Sequence, residues 1–186
     1  MKISNMKTNF FPKLIIWFSL IAFPETAPAQ STDFTIRDVK FESQNITLAG
    51  SILEPKKLSA AVVIVHGSDP VKREMEFAKR LAKEGIAVFT YDKRGVGESG
   101  GVYVGPSVGT NNIDTTNLNL LAHDANSAVQ TFRTYLKDKK IPIGLVGFSQ
   151  AGWIIPMTAS KNPQIDFMVL FSGPTITTLE QLRFQF

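Results

Sequence analysis

Four short apolar runs constrain the fold of this 186-residue chain more than any other feature. Each has the length of a strand and almost no polar side chain, which is typical of a strand buried on both faces. The runs are residues 60–65, 86–91, 141–146 and 165–171. Segments with a helical spacing of apolar residues separate them, so strand and helix alternate along the chain. This alternation predicts an α/β fold, with a largely parallel sheet covered by helices on both faces.

Ahead of these runs, residues 34–43 and 46–53 alternate apolar and polar side chains. Gln44 and Asn45 lie between the two segments, and this pattern predicts an N-terminal antiparallel hairpin. Helices are expected over residues 71–84, from Asp114 onward, and over residues 150–160, with a polar glycine-rich loop over 92–112.

The first 29 residues have the pattern of a signal peptide. Three lysines precede a ten-residue apolar run at 14–23, and small residues at 27–29 follow it. A membrane span needs about 20 apolar residues, so cleavage after Ala29 is favoured over a stable span. We therefore expect an exported protein, periplasmic or secreted, with residues 30–186 forming one domain.

Composition excludes several classes of function. Residues 30–186 carry 17 basic and 15 acidic side chains with no basic stripe, so no nucleic-acid partner is predicted. The chain has no cysteine, which rules out disulfides, thiolate metal sites and cysteine nucleophiles. The glycine-rich segment after residue 91 matches neither a P-loop nor the dinucleotide fingerprint. We accordingly expect no cofactor and no metal.

The segment Gly147-Phe148-Ser149-Gln150-Ala151-Gly152 stands between an apolar run and a predicted helix. A serine among small residues at such a junction is typical of a nucleophile elbow, where a tight turn lifts the hydroxyl above the sheet edge. The free N–H groups and positive dipole end of the following helix favour an anion near the serine. The pattern therefore predicts Ser149 as a nucleophile.

A second turn, His66-Gly67-Ser68, directly follows the first apolar run. A backbone N–H from this turn and the N–H of Gln150 could form an oxyanion hole, in which one donor is worth about 10²–10³ in rate. The His66 side chain is expected to support the turn. In the loop beyond residue 91, Asp92 and Arg94 are expected to pair with each other.

Taken in order, these segments resemble the α/β-hydrolase superfamily, and within it the secreted esterase and dipeptidyl-aminopeptidase-like branch. The segments that carry the resemblance are 66–68, 91–95, 147–152 and 171–174. The resemblance implies Ser149 as nucleophile, with the backbone amides of Ser68 and Gln150 as oxyanion donors. It also implies cleavage of a small ester, amide or short peptide substrate through an acyl-enzyme. Ala151 replaces the second glycine of the elbow and is small enough to keep it.

The superfamily places an acid and then a histidine after the serine. Asp166 and Glu180 are the only acidic residues after Ser149, neither is well placed, and no histidine follows. Of the two histidines present, His66 belongs to the turn, and His123 lies beside Asp124 in a polar interruption of the long helix.

We therefore expect residues 30–186 to form a partial α/β-hydrolase domain, truncated at its C-terminus, with little or no activity. A non-catalytic exported binding domain derived from a hydrolase is the alternative, and a second chain supplying the acid and histidine is a third option. An exposed sheet edge at the last strand makes self-association plausible.

Overall fold

The computed structural model describes residues 33–105, 113–137, 139–174, 176–177 and 180, so the predicted signal peptide lies outside the described residues. In chain order the elements are β1 (Phe34–Ser43), β2 (Ile46–Pro55), β3 (Ala60–Val65), α1 (Met75–Lys83), β4 (Ile86–Tyr91), α2 (Thr115–Tyr135), β5 (Ile143–Phe148), α3 (Ala151–Ala159) and β6 (Phe167–Phe171).

The six strands form one sheet in the order β1-β2-β4-β3-β5-β6. β2 is antiparallel to both of its neighbours, whereas β4, β3, β5 and β6 are parallel. Gln44 and Asn45 connect β1 to β2 with φ angles of 51° and 60°, which suits a two-residue hairpin turn. The predicted α/β architecture and its N-terminal hairpin are therefore confirmed. Because the four parallel strands run the same way, the turns after β3, β4 and β5 all lie at the end of the sheet where the carboxyl ends of these strands meet.

Helices cover the sheet on both faces. On one face, α2 and α3 pack over the larger apolar cluster, in which the Phe89 and Phe132 rings meet edge to face at 5.7 Å. On the other face, α1 buries Ala78 and Ala82 against a smaller cluster. Within the described ranges, no helix combines the length and apolar composition that a bilayer crossing requires.

The predicted helix over residues 71–84 begins later than expected, at Met75. The backbone N–H of Arg73 donates to the Asp92 carboxylate at 2.9 Å, and that of Glu74 donates to the Thr90 hydroxyl at 2.9 Å. Side chains at the end of the neighbouring strand thus accept from N–H groups just ahead of the helix, where the chain has no helical acceptors.

The expected pairing of Asp92 with Arg94 is wrong. Asp92 instead pairs with Arg73 at 3.3 Å. Arg94 forms a buried pair with Asp124, donating from Nε to Oδ2 at 2.9 Å, and the Ser43 hydroxyl donates to the same carboxylate at 2.6 Å. Asp124 is fully buried, so it anchors α2 to the hairpin and the loop after β4 rather than interrupting the helix.

The last strand was expected to be buried on both faces, and this is also wrong. Residues 168–171 are between 38% and 48% exposed. In the part of the chain that the structure describes, β6 pairs with β5 alone, and α3 contacts one of its faces. An apolar run shows that a strand prefers burial, but it does not show whether neighbouring elements cover it.

Candidate active site

Ser149 lies at the junction between β5 and α3, at the edge where the parallel strands end. Its φ is 53°, in the left-handed region that few residues other than glycine adopt. Its side chain is exposed, whereas Gln150 beside it is buried. Such backbone strain clusters at functional sites, where the surrounding structure holds it. The geometry presents the hydroxyl to solvent on a tight turn.

Small residues around Ser149 allow this turn. A Cβ atom on Gly147 would lie 2.5 Å from the Cβ of Ala151 and 2.6 Å from the Val65 carbonyl oxygen. A Cβ on Gly152 would lie 2.6 Å from Cδ of Pro174. The space beside the turn therefore holds the methyl group of Ala151 because position 147 has no side chain.

Two further turns lie against Ser149. A Cβ on Gly67 would lie 3.8 Å from the Cβ of Ser149, so the turn that carries Ser68 reaches the serine. The backbone N–H of Ser149 donates to the Phe171 carbonyl at 3.2 Å, and a Cβ on Gly173 would lie 3.7 Å from the Ser149 carbonyl oxygen. The segments after β3, β5 and β6 thus converge at one point.

His66 is held in the core below its turn. The ring meets that of Tyr91 edge to face at 4.6 Å and hydrogen-bonds the Tyr91 backbone. The other ring nitrogen, Nε2, is buried and has no hydrogen-bond partner among the described residues. Burial, followed by the nearby charge of Lys93, lowers the pKa of His66 to about 4. The ring is therefore neutral near pH 7, and its one hydrogen bond supports the turn.

The structure does not bring an acid and a histidine to Ser149 within the described ranges. Asp166 lies at the amino ends of β5 and β6, at the opposite end of the strands from Ser149. There its carboxylate accepts from the Ile143 N–H at 2.7 Å and from Arg133 at 2.6 Å. Glu180 accepts from Thr177 at 2.7 Å. The second histidine of the chain, at position 123, is exposed on α2.

Sequence reasoning missed Lys93, which lies two residues beyond β4. The residue is only 2% exposed, and its ammonium donates to the carbonyls of Gly67 at 2.6 Å and Ser68 at 3.2 Å and to the side-chain oxygen of Gln150 at 3.1 Å. The Tyr103 hydroxyl also donates to the Ser68 carbonyl, at 2.7 Å. The only available signal was a lysine directly after a strand whose end faces the predicted site.

No group of histidine and acidic side chains in the described ranges could hold a metal ion. The arrangement instead combines an exposed serine, a helix N-terminus and a buried ammonium at one sheet edge. The helix N-terminus and the ammonium both favour negative charge near the serine hydroxyl.

Several solved structures share this fold. An esterase of Pyrococcus furiosus superposes with a TM-score of 0.62 at 24% identity, over 77% of this chain and 54% of its own. The α/β hydrolase GrgF of a Penicillium species gives 0.59 at 21% identity, over 75% and 46%. A dienelactone hydrolase of Anabaena variabilis gives 0.58 at 18% identity, over 76% and 64%. The chain spans about half the length of the first two proteins, and identities this low establish the fold alone.

No curated protein matches the sequence significantly. Residues 56–183, however, match the model of the family described as serine aminopeptidase, S33. This match covers well over half of the sequence and includes β3 to β6 with all three turns at Ser149. The chain therefore belongs to the serine aminopeptidase S33 family and has the α/β-hydrolase fold.

Proposed function

We propose that this chain carries the nucleophile and the oxyanion hole of a serine hydrolase that cleaves ester, amide or peptide bonds. The observation that carries the proposal is the exposed Ser149 at a φ of 53°, with the turn at Gly67 packed against it. Membership of the S33 family and the fold of the neighbouring esterases support it.

In the proposed reaction, Ser149 Oγ attacks the substrate carbonyl carbon and gives its proton to a base. The carbonyl oxygen becomes an oxyanion that accepts hydrogen bonds from the backbone N–H groups of Ser68 and Gln150. Collapse of this intermediate expels the alcohol or amine, which takes the proton from the base, and leaves an acyl-enzyme. Water then hydrolyses the acyl-enzyme by the same two steps. The chemistry needs no cofactor.

The base is the part that these residues do not supply. His66 is buried against Tyr91, and His123 is exposed on α2. We therefore propose that the acid and histidine lie outside this sequence, in a further part of a longer chain or in a second chain. Without them, a hydrolase of this kind still accelerates the reaction about 10³–10⁴-fold over the uncatalysed rate, through the oxyanion hole and substrate binding.

A fluorophosphonate probe tests the proposal. The Ser149 oxygen bonds to phosphorus, fluoride leaves, and the serine proton passes to a base, for which millimolar imidazole can substitute. We expect slow labelling of the 186-residue chain that imidazole accelerates and that Ser149→Ala abolishes. Circular dichroism checks that both proteins are folded.

Two results would contradict it in different ways. A folded chain that stays unlabelled at Ser149 even with imidazole would refute the nucleophile. Fast Ser149-dependent labelling without imidazole would show that the base is already present. A labelling rate that rises with protein concentration would indicate that a second copy supplies it.

The second candidate is a non-catalytic exported binding domain, and the missing base at Ser149 favours it. A cooperative unfolding transition together with no labelling in imidazole would support that function over the first. Export itself is proposed from the lysines and apolar run before residue 30. N-terminal sequencing of the exported protein should begin at Gln30.

A further inference from the structure

Lys93 is a buried cation with no buried counter-ion among the described residues. All three acceptors of its ammonium are neutral oxygens, and no carboxylate of the described residues lies within salt-bridge distance of it. Removing a charge from water costs several kcal/mol unless its partners compensate. A long apolar side chain would avoid that cost but would leave the three acceptors without this donor. The ammonium therefore holds these three oxygens in place at the cost of its own burial.

The first acceptor links Lys93 to one proposed oxyanion donor. The carbonyl of Gly67 and the N–H of Ser68 belong to the same peptide unit, which is planar and trans. These two groups therefore point in opposite directions. When the ammonium holds the Gly67 carbonyl at 2.6 Å, the Ser68 N–H must point away from Lys93. Rotation of this peptide would break that hydrogen bond.

The second acceptor fixes the following peptide unit. The Ser68 carbonyl accepts from Lys93 at 3.2 Å and from the Tyr103 hydroxyl at 2.7 Å. The loop after β4 folds back through a hydrogen bond from the Gly95 N–H to the Gly100 carbonyl at 2.9 Å, and the Tyr103 ring lies 5.4 Å from the Lys93 ammonium. The turn is thus held on both sides of Ser68.

The third acceptor links Lys93 to the other proposed donor. Gln150 is 2% exposed, and its side-chain oxygen accepts from the ammonium at 3.1 Å. Its backbone N–H opens the turn into α3 directly after Ser149. One ammonium therefore bridges the segment after β3 and the segment after β5, which are separate in sequence and supply one donor each.

We propose that Lys93 is a positioning residue that aligns the Ser68 and Gln150 N–H groups into an oxyanion hole, with Tyr103 completing the clamp. The inference rests on the proposed Ser149 chemistry, since an oxyanion forms only if Ser149 is acylated or phosphonylated. Lys93 acts through the backbone, and it is not required to touch the substrate.

Burial lowers the pKa of Lys93 from 10.5 to about 8. The other titratable groups that face it are His66, the carboxylate of Asp69 and the Tyr103 hydroxyl. The pKa of His66 is near 4 and that of Tyr103 is raised above its ordinary 10, so neither changes charge around pH 8. A neutral amine has two N–H donors for three acceptors, so the clamp loosens as the pH rises through about 8.

The test measures phosphonylation of Ser149 with saturating imidazole as the base. We expect Lys93→Met to lower the maximal labelling rate about 10–100-fold and to leave probe binding nearly unchanged. This loss should not exceed the loss of about 10²–10³ that follows removal of a whole oxyanion donor. Lys93→Arg keeps a cation and should recover part of that loss, and its rate should not fall as the pH passes about 8. Lys79→Met removes a half-exposed lysine on α1, away from the site, and should leave the labelling rate unchanged.

A second readout separates this inference from the proposed function. Backbone amide resonances of Ser68 and Gln150 are compared in the full chain and in Lys93→Met without any probe. If the wild-type chain is never labelled, the proposed function fails, while shifted resonances would still support the role of Lys93 in the turn. Equal labelling and unmoved resonances in Lys93→Met would overturn the role of Lys93 and leave the nucleophile standing. If Lys93→Met does not fold, the pH profile of Lys93→Arg decides: a decline above pH 8 equal to that of the wild type would refute the inference.

Discussion

Mild acid should destabilise this protein through one side chain, His66. In the native state, burial lowers the pKa of His66 from 6.5 to about 4. In the unfolded chain the ring regains its ordinary pKa. Between these values the unfolded chain binds a proton that the native protein does not bind. The stabilisation is therefore fully present above about pH 6.5 and is lost as the pH falls toward 4.

The two pKa values set the size of the effect. A tenfold difference in proton affinity corresponds to about 1.4 kcal/mol. Near pH 4.5 the unfolded His66 is almost fully protonated and the native one is mostly neutral, so the free energy of unfolding should be lower by about 2–3 kcal/mol than near pH 7.5. This is a large part of the stability of an ordinary domain.

The assay is urea unfolding at both pH values for the wild type, His66→Phe and His123→Gln. Phenylalanine keeps the edge-to-face packing on Tyr91 and cannot titrate, so His66→Phe should lack the loss assigned to His66. It loses a hydrogen bond at both pH values, which is why the difference between pH values is compared. His123 is exposed, so His123→Gln should keep the wild-type pH dependence.

Carboxylates lose their stabilisation at lower pH and in all three proteins alike. The hydrogen bond from the Ile143 N–H holds the pKa of Asp166 below its usual 3.8, so its stabilisation is lost only as the pH falls below about 3.8. The reasoning on His66 is therefore refuted if the wild type and His66→Phe lose the same free energy between the two pH values.

Two further predictions concern stability and association. Asp124→Leu should lower the free energy of unfolding by about 3–5 kcal/mol, because it leaves the Arg94 guanidinium buried without its partner. Adding Arg94→Met should recover much of that loss when a double-mutant cycle is measured by urea unfolding. Strictly additive effects of the two substitutions would contradict this. Self-association, proposed for the exposed β6 edge, should weaken about tenfold or more in Met168→Lys by analytical ultracentrifugation, because a lysine on an edge strand opposes pairing. The control Ile36→Lys alters a residue of nearly equal exposure at the opposite edge, 49% against 48%, and should leave association unchanged.

Local pattern predicted most of the fold. β3 and β4 begin and end where their apolar runs do, because polar or turn residues bound both runs sharply. The start of α1 could not be predicted in this way, because the side chains of Thr90 and Asp92 bind the N–H groups at 73 and 74. Those contacts depend on where β4 ends in space. The exposure of β6 is likewise a property of its neighbours and not of its own residues.

The candidate site likewise combines a local motif, which the sequence shows, with contacts between distant segments, which it does not show. Ser149 and its small neighbours form a local motif that the sequence displays directly. The hydrogen bonds of Lys93 reach acceptors 25, 26 and 57 residues away, and those of Arg94 reach an aspartate 30 residues away. No periodicity or spacing within one segment contains such information. Contacts of side chains that connect distant segments at the carboxyl ends of the strands therefore cannot be predicted from the sequence alone.

Lys93 and Arg94 are consecutive in the chain, yet they serve different purposes. Arg94 joins the hairpin to α2 inside the core, while Lys93 holds the turn beside Ser149. One peptide bond thus connects a residue that ties core elements together to a residue that contacts the proposed oxyanion turn. A backbone shift that improves the packing of Arg94 can therefore also move Lys93. Variants selected only for higher thermal resistance near this bond should be examined for altered reactivity of the serine as well.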